Sequence, residues 1–284
     1  MDKESDMQQQ IEKLQETNSQ LLEQVDDLNR KLVESESFKS HFLSNITNEI
    51  VNPFASVMGL SQQIMELKKE DFKKAAGLAR LIFSEATALD FQLRNIFMAA
   101  RLEAGEEKPE PAEINLRQML EAVVDKIKHE ADKKGIRISL EIAPYLERFV
   151  SDSEKLELIL MNLLSNAVKF SGFGKDITVR AHKTENRDVE VEVADKGIGM
   201  TKDEINRIFD RFHRANPVIQ SITPGSGLGL AVVEGLLFVL NGKAEINSHP
   251  GKGTLVRIFL PEETRENIEF DDALFFDDET EESF

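Results

Sequence analysis

The sequence predicts a helical N-terminal region that pairs into a dimeric four-helix bundle, followed by one α/β domain whose sheet is covered by helices on one face. Three observations predict it. Residues 8 to 37 carry an apolar heptad, residues 42 to 100 carry apolar side chains at three/four spacing, and after residue 111 helix-length and strand-length patterns alternate. A chain of 284 residues with 40% apolar side chains can build a helical segment and an α/β domain with its own core.

In the first segment, 1–37, Ile11, Asn18, Val25 and Leu32 fall on one core position of the heptad, and Leu14, Leu21 and Leu28 on the other. β-Branched residues opposite leucines favour a parallel two-stranded coil, and a buried Asn18 would set its register. The second segment, 38–104, is a hairpin. Phe42, Ile46, Ile50, Val57 and Ile64 continue the stripe past Pro53, which removes a backbone donor and is expected to bend the helix. "ELKKED" (66–71) forms a charged turn. Phe72, Ala75, Ala79, Ile82, Ala86, Leu89, Leu93, Ile96 and Ala100 then mark the second helix. A hairpin with one apolar face is buried by a second copy, which predicts a homodimer through residues 8–104.

"GEEKPEP" opens a linker at 105–112 by its Gly, Pro and charge. The domain at 113–261 reads as a helix near 115–134, a strand near 136–142, a helix near 153–169 and strands near 176–183 and 188–194. A helix near 227–241 and two strands within 243–260 complete it. The remaining 262–284 mixes phenylalanine with acids and is expected to stay disordered when alone.

Charge narrows the partners. The net charge is −17, and 262–284 holds eleven Asp and Glu against one Arg (−10), so the rest carries −7. Such a chain repels phosphate backbones and anionic lipid, which argues against nucleic acid. Without cysteine there is no disulfide and no thiolate metal site, as suits a reducing, cytoplasmic setting. No membrane insertion is expected: the start lacks a signal peptide, and "LGLAVVEGLLFVL" (228–240) is too short to span and contains Glu234.

Three stretches carry chemistry. "VADKGIGM" sets Asp195 at a strand end before Gly197 and Gly199, a turn where missing Cβ atoms admit a planar ligand, and a buried carboxylate there can accept from an exocyclic amine such as adenine's. "PGSGLGLAVV" sets Gly225, Gly227, Leu228 and Gly229 at a helix start, where free N–H groups suit phosphate. "NLLSNAVKF" sets Asn162, Asn166 and Lys169 on one helical face; Asn oxygens can ligate Mg²⁺ and Lys can meet a phosphate. Each alone has an ordinary reading, as turn glycines, a packed Asn or a solvated Lys. Their order makes the case for a nucleotide.

From about residue 38 to 261 the chain resembles the transmitter module of two-component sensor histidine kinases, a dimerising hairpin followed by a Bergerat-type α/β sandwich that binds ATP. "FLSNITNEIVNP" looks like the histidine box, "NLLSNAVKF" the asparagine box, "DKGIGM" and "GSGLGL" the glycine boxes, and "IFDRFHR" the phenylalanine box; "RLEAG" (101–105) resembles the exit from the hairpin. The resemblance implies ATP and Mg²⁺ as cofactors. It implies that Asp195 holds adenine in a pocket shaped by Gly197 and Gly199, that Asn166 coordinates Mg²⁺, and that Asn162 and Lys169 serve the metal-phosphate end. Gly225, Gly227, Leu228 and Gly229 would border the phosphates, and 201–224 would form a lid with Phe209, Phe212, His213 and Arg214.

The pattern breaks at three positions. Asn48 stands where the phosphoacceptor histidine belongs, and its amide nitrogen, with a delocalised lone pair, is no nucleophile at neutral pH. Val51 replaces a usual Arg or Lys, and Leu158 a usual Glu or Gln. Glu49 and Asn52 persist and form E-x-x-N, which resembles the family's phosphatase motif. The expectation is a cytoplasmic Mg-ATP-binding signalling protein without self-labelling at the usual position, whose partner is a response-regulator receiver domain or a partner histidine kinase. Three outputs stay open: receiver phosphatase, kinase acting in trans on a partner histidine, and non-catalytic scaffold.

Overall fold

The computed structural model describes residues 50–68, 71–144, 146, 148–185, 188–206 and 227–261, together with Leu22 and Val25. It forms two compact units, Met1–Asn52 and Pro53–Phe284. In the first, the described residues Leu22, Val25 and 50–52 are helical, and Leu22 and Val25 are exposed. The coiled-coil reading otherwise lies outside the described residues, as do Asn48, Glu49, Gly225, the acidic segment 262–284 and the phenylalanine box.

Two helices open the chain's described part. Helix α1 runs over residues 50–65 with Pro53 inside it, and α2 covers Phe72–Ala104, 33 residues or about 50 Å at 1.5 Å per residue. The stop of α2 is local chemistry: Gly105 takes φ 67°, its N–H bonds Leu102 O at 3.2 Å, and Glu106 N–H bonds Arg101 O at 3.0 Å, which satisfies two of the last carbonyls. The buried face of α2 is Asn95, Ile96 and Ala99, and Ala100, which the periodicity assigned to the stripe, is exposed. Leu102 instead seats on Gly235 of a later helix, where a Cβ would lie 2.7 Å from Leu Cδ1. The C-terminal end of α2 thus follows the α/β domain rather than the hairpin stripe. Among the described residues no helix is long and apolar enough to cross a membrane.

The α/β domain is built from β1 (Ala112–Ile114), α3 (Leu116–Lys133), β2 (Arg137–Ile142), β3 (Phe149–Ser151), α4 (Ser153–Phe170), β4 (Asp176–Lys183), β5 (Val189–Ala194), α5 (Lys202–Asn206), α6 (Gly229–Val239), β6 (Lys243–His249) and β7 (Gly253–Leu260). Five strands pair in the order β2-β4-β5-β7-β6; β2 and β4 are parallel and the other pairs antiparallel. Period-two alternation buries Ile177, Val179 and Ala181 of β4 and Val189, Val191 and Val193 of β5 on one face. Helix α4 packs beside α3 and α6 and against that sheet. Leu116, Leu120, Val123 and Ile127 of α3, and Leu156, Ile159, Leu160 and Leu164 of α4, fill the core.

The opposite face carries a charged rung. Register sets Glu141 of β2 beside Arg180 of β4, Arg180 beside Glu192 of β5, Glu192 beside Arg257 of β7, and Arg257 beside Glu245 of β6. Arg180 lies 2.7 Å from Glu141 and Arg257 2.9 Å from Glu192. Alternating signs make this face compatible with solvent, although solvent screening leaves each exposed pair a small contribution.

Periodicity missed the antiparallel ladder β1·β3, whose three-residue strands are too short to show a period. Each strand runs straight into a helix cap. Asn115 Oδ1 accepts from Gln118 N–H and Asp152 Oδ1 from Lys155 N–H, both at 3.0 Å, so the ladder aligns the starts of α3 and α4. Residues 106–111 carry no helix or strand but are docked. The buried Lys155 ammonium lies 2.7 Å from Asp152 and 3.2 Å from Glu107, Glu110 N–H donates to Asp152 at 2.9 Å, and Arg101 stands 2.7 Å from Glu107.

Candidate functional site

Helix α4 is the spine of the site. Its C-terminal end is held by Lys134, whose ammonium donates to Val168 O at 2.9 Å and Lys169 O at 2.7 Å; burial lowers the Lys134 pKa, against the raising effect of Glu130. Phe170 O and Ser171 then meet the turn after β5. Ile198 N–H bonds Phe170 O at 3.3 Å, and Ser171 bridges Gly197. A Cβ on Gly197 would collide with Phe170 O and lie 2.8 Å from Asp195 Oδ1, so no larger residue fits there without a shift.

Asp195 points into this junction. Its Oδ1 accepts Gly197 N–H at 2.7 Å and Thr254 N–H at 3.2 Å, while Oδ2 takes no hydrogen bond from the described residues. Burial pushes its carboxyl pKa up, and the two backbone N–H groups oppose that rise without cancelling it. The turn is also clamped from β6 and β7. Cβ atoms on Gly199 (φ 64°) and Gly253 (φ 91°) would strike His249 O and Asp195 O, respectively. Ser248 Oγ accepts Met200 N–H at 2.9 Å and donates to Gly253 O at 3.0 Å. Ser171 Oγ, beside this turn, is buried without a hydrogen-bond partner among the described residues.

Midway along the spine Asn162 meets α6. Gly227 takes φ 74°, and a Cβ on Gly229 would lie 2.6 Å from Asn162 Oδ1. The Asn162 amide hydrogens go to Asn95 Oδ1 of α2 at 2.6 Å and Leu158 O at 2.9 Å. Leu158, where the resemblance has Glu or Gln, is buried in the core. Asn162 and Phe170 are eight residues apart, about 12 Å along the axis. Between them Asn166 is half-buried, with no hydrogen bond to its side chain among the described residues, and the Lys169 ammonium lies 5.2 Å from the centre of the Phe170 ring. Leu228 is buried.

The structure therefore brings Asp195, Gly197 and Gly199 together at the C-terminal end of α4 and Asn162, Gly227, Leu228 and Gly229 together beside its middle, with Asn166 and Lys169 between. Asn52 lies on α1 and is exposed. Within the span read as a lid, α5 (Lys202–Asn206) begins with a capping box in which Thr201 N–H donates to Glu204 at 2.8 Å and Glu204 N–H to Thr201 Oγ1 at 3.3 Å. Sequence reasoning missed Thr254, Ser248, Lys134 and Asn95. For Thr254 and Ser248 the available signal was polar residues on either side of "HPGKG", a turn that the strand pattern leads back toward Asp195. Among the described residues no group of three or more His, Asp or Glu could hold a metal, so a bound cation would draw its ligands from amide and ligand oxygens. The donor set fits that demand: a hard cation takes oxygen, and Asn166 offers one.

A five-stranded mixed sheet carries this site on its helical face and is preceded by the helices α1 and α2, an architecture that matches histidine kinase structures. Residues 151–264 match the family described as histidine kinase-, DNA gyrase B- and HSP90-like ATPase. The non-motile and phage-resistance protein of Caulobacter vibrioides is 29% identical over 261 residues, covering 88% of this chain and 30% of that protein. The sensor-like histidine kinase SenX3 of Mycolicibacterium smegmatis is 28% identical over 227 residues, covering 80% of this chain and 58% of that protein. The crystal structure of full-length ShkA in complex with AMPPNP superposes with a TM-score of 0.57 at 26% identity, over 78% of this chain and 46% of that one. The chain thus resembles a two-component histidine kinase transmitter module in both sequence and fold, and it spans less than two thirds of these relatives.

Proposed function

We propose that this chain is a dimeric, cytoplasmic histidine-kinase-like signalling module that binds Mg-ATP and does not phosphorylate itself at the usual position. One observation carries the nucleotide part: along α4, a buried carboxylate with an open oxygen lies at the C-terminal end and a glycine-rich helix start lies beside the middle. Adenine would sit at Asp195, with Gly197 and Gly199 leaving room for its plane. The phosphates would lie toward Gly225, Gly227, Leu228 and Gly229 beside Asn162, with the Lys169 side chain reaching toward them and Asn166 supplying an oxygen to Mg²⁺. The nucleotide bound to ShkA in its crystal structure supports the same assignment here.

Loss of the acceptor rests on Asn48. A second copy joined through residues 8–104 would cover Phe54, Met58, Leu81 and Phe83, which a single chain leaves exposed. The output would be control of a receiver domain or a partner histidine kinase, and the exposed amide of Asn52, three residues after Glu49, favours a phosphatase role toward a receiver's phospho-aspartate. Incubation with γ-labelled Mg-ATP, before and after Asn48→His, tests the reading. Acid-labile, base-stable label only in the restored chain is expected. Label in the unaltered chain would overturn the proposed loss of the acceptor, and failure of the unaltered chain to bind Mg-ATP would overturn the nucleotide assignment.

A further inference from the structure

Asn95 is a polar residue on the buried face of α2, 5% exposed and flanked on that face by Ile96 and Ala99. Its Nδ2 donates to Phe91 O at 3.0 Å, which turns Oδ1 toward α4, where it accepts Asn162 Nδ2 at 2.6 Å. The second Asn162 amide hydrogen goes to Leu158 O at 2.9 Å. A side-chain amide has only two such hydrogens, so both are used, and the oxygen is left to face the opposite way. That way lies Gly229, the first residue of α6.

The alternative amide orientation is costly on both sides. It would set an oxygen against the Asn95 and Leu158 oxygens in a buried site, and an NH₂ against a helix start whose N–H groups and dipole favour an acceptor. The geometry points to Asn95 as a positioning residue of the nucleotide site, a hairpin side chain that decides which edge of Asn162 faces the glycine-rich helix start. It follows that the site is complete only with α2 docked, and that nucleotide affinity and α2 docking are linked in both directions. The inference rests on the proposed reading that phosphates lie at the start of α6.

The test uses the full chain, a fluorescent ATP analogue with Mg²⁺, and three variants: Asn95→Leu, Asn162→Leu and the pair. If Asn95 acts through Asn162, Asn95→Leu weakens binding by about tenfold, the scale of one buried hydrogen bond. On the Asn162→Leu background the same change then alters Kd less than about twofold, because its target is gone. Multiplying effects, or an Asn95→Leu chain that binds like the unaltered one, overturn the inference. Should Asn95→Leu fail to fold, Asn95→Ser, which is too short to reach Asn162, and Asn95→Asp, which keeps the acceptor oxygen, replace it. Asp binding like the unaltered chain while Ser binds weakly supports the inference, and equal affinities overturn it. An unaltered chain that does not bind overturns the nucleotide reading itself, a distinguishable result.

Discussion

Replacing Asp195 with Asn separates the binding role of the carboxylate from its cost to the fold. In the folded protein Oδ1 holds Gly197 and Thr254 N–H, an acceptor role that an Asn oxygen can keep. What changes is Oδ2, which becomes an NH₂ facing the amine that the carboxylate would have accepted from. A lost acceptor together with two opposed donors amounts to about 1–3 kcal/mol, roughly five- to 150-fold in Kd. Stability should move the other way. Burial raises the Asp195 pKa above its unfolded value of 3.8, so its favourable contribution is fully present below pH 3.8 and lost as pH rises through the folded pKa. At neutral pH the ionised carboxylate is therefore a net burden. Nucleotide-free Asp195→Asn should melt at or above the unaltered chain at pH 7, with the difference shrinking toward pH 4. Calorimetric titration with Mg-ATP and thermal melts from pH 4 to 8 read both arms. Unchanged affinity, or a variant that melts lower at pH 7 and falls further behind as pH rises, would refute the reasoning.

Two further outcomes follow from the packing. Lys155→Met leaves Asp152 buried without its cation and Glu107 with Arg101 alone, a loss of about 3–5 kcal/mol, or roughly 6–20 °C in the melting temperature of the α/β domain. Burial alone would lower the Lys155 pKa, but Asp152 and Glu107 outweigh it and raise it; burial would likewise raise Asp152, but Lys155 and the backbone donors outweigh it and lower it. The Lys155 contribution is thus present below pH 10.5 and fades as pH rises through its raised value. That of Asp152 is present above pH 3.8 and is lost as pH falls through its lowered value. Melts of the two chains should differ most between those limits, and equal melting at pH 7 would refute the network. Gly199→Ala combines a left-handed backbone with a Cβ driven into His249 O, so urea unfolding should show a loss of at least about 1–3 kcal/mol, and an unchanged midpoint would count against the clamp.

Much of this fold is written locally. The strands β4 and β5 announce themselves through Ile177, Val179 and Ala181 and through Val189, Val191 and Val193. The motif residues were also legible, because glycine at Gly197 and Gly229 answers to contacts so close that any side chain would have to displace its neighbour. What escaped depends on residues distant in sequence. The pairing of Asn95 with Asn162 joins positions 67 apart, and that of Asp195 with Thr254 positions 59 apart. A lone Asn in an apolar stripe and a Thr in a strand carry no mark of such partners. Glu107 read as a solvated linker charge because its composition resembles one, yet it is buried by an ammonium that belongs to α4.

That buried Glu107 bears on where the chain can be divided. A fragment starting at Ala112 would keep the whole five-stranded sheet but strip Lys155 of one of its two carboxylates, bare the notch at Gly235 and leave Asn162 without its acceptor. The smallest autonomous piece should therefore begin inside α2, upstream of Asn95. In this protein the last turns of α2 are, in folding terms, the first helix of the α/β domain.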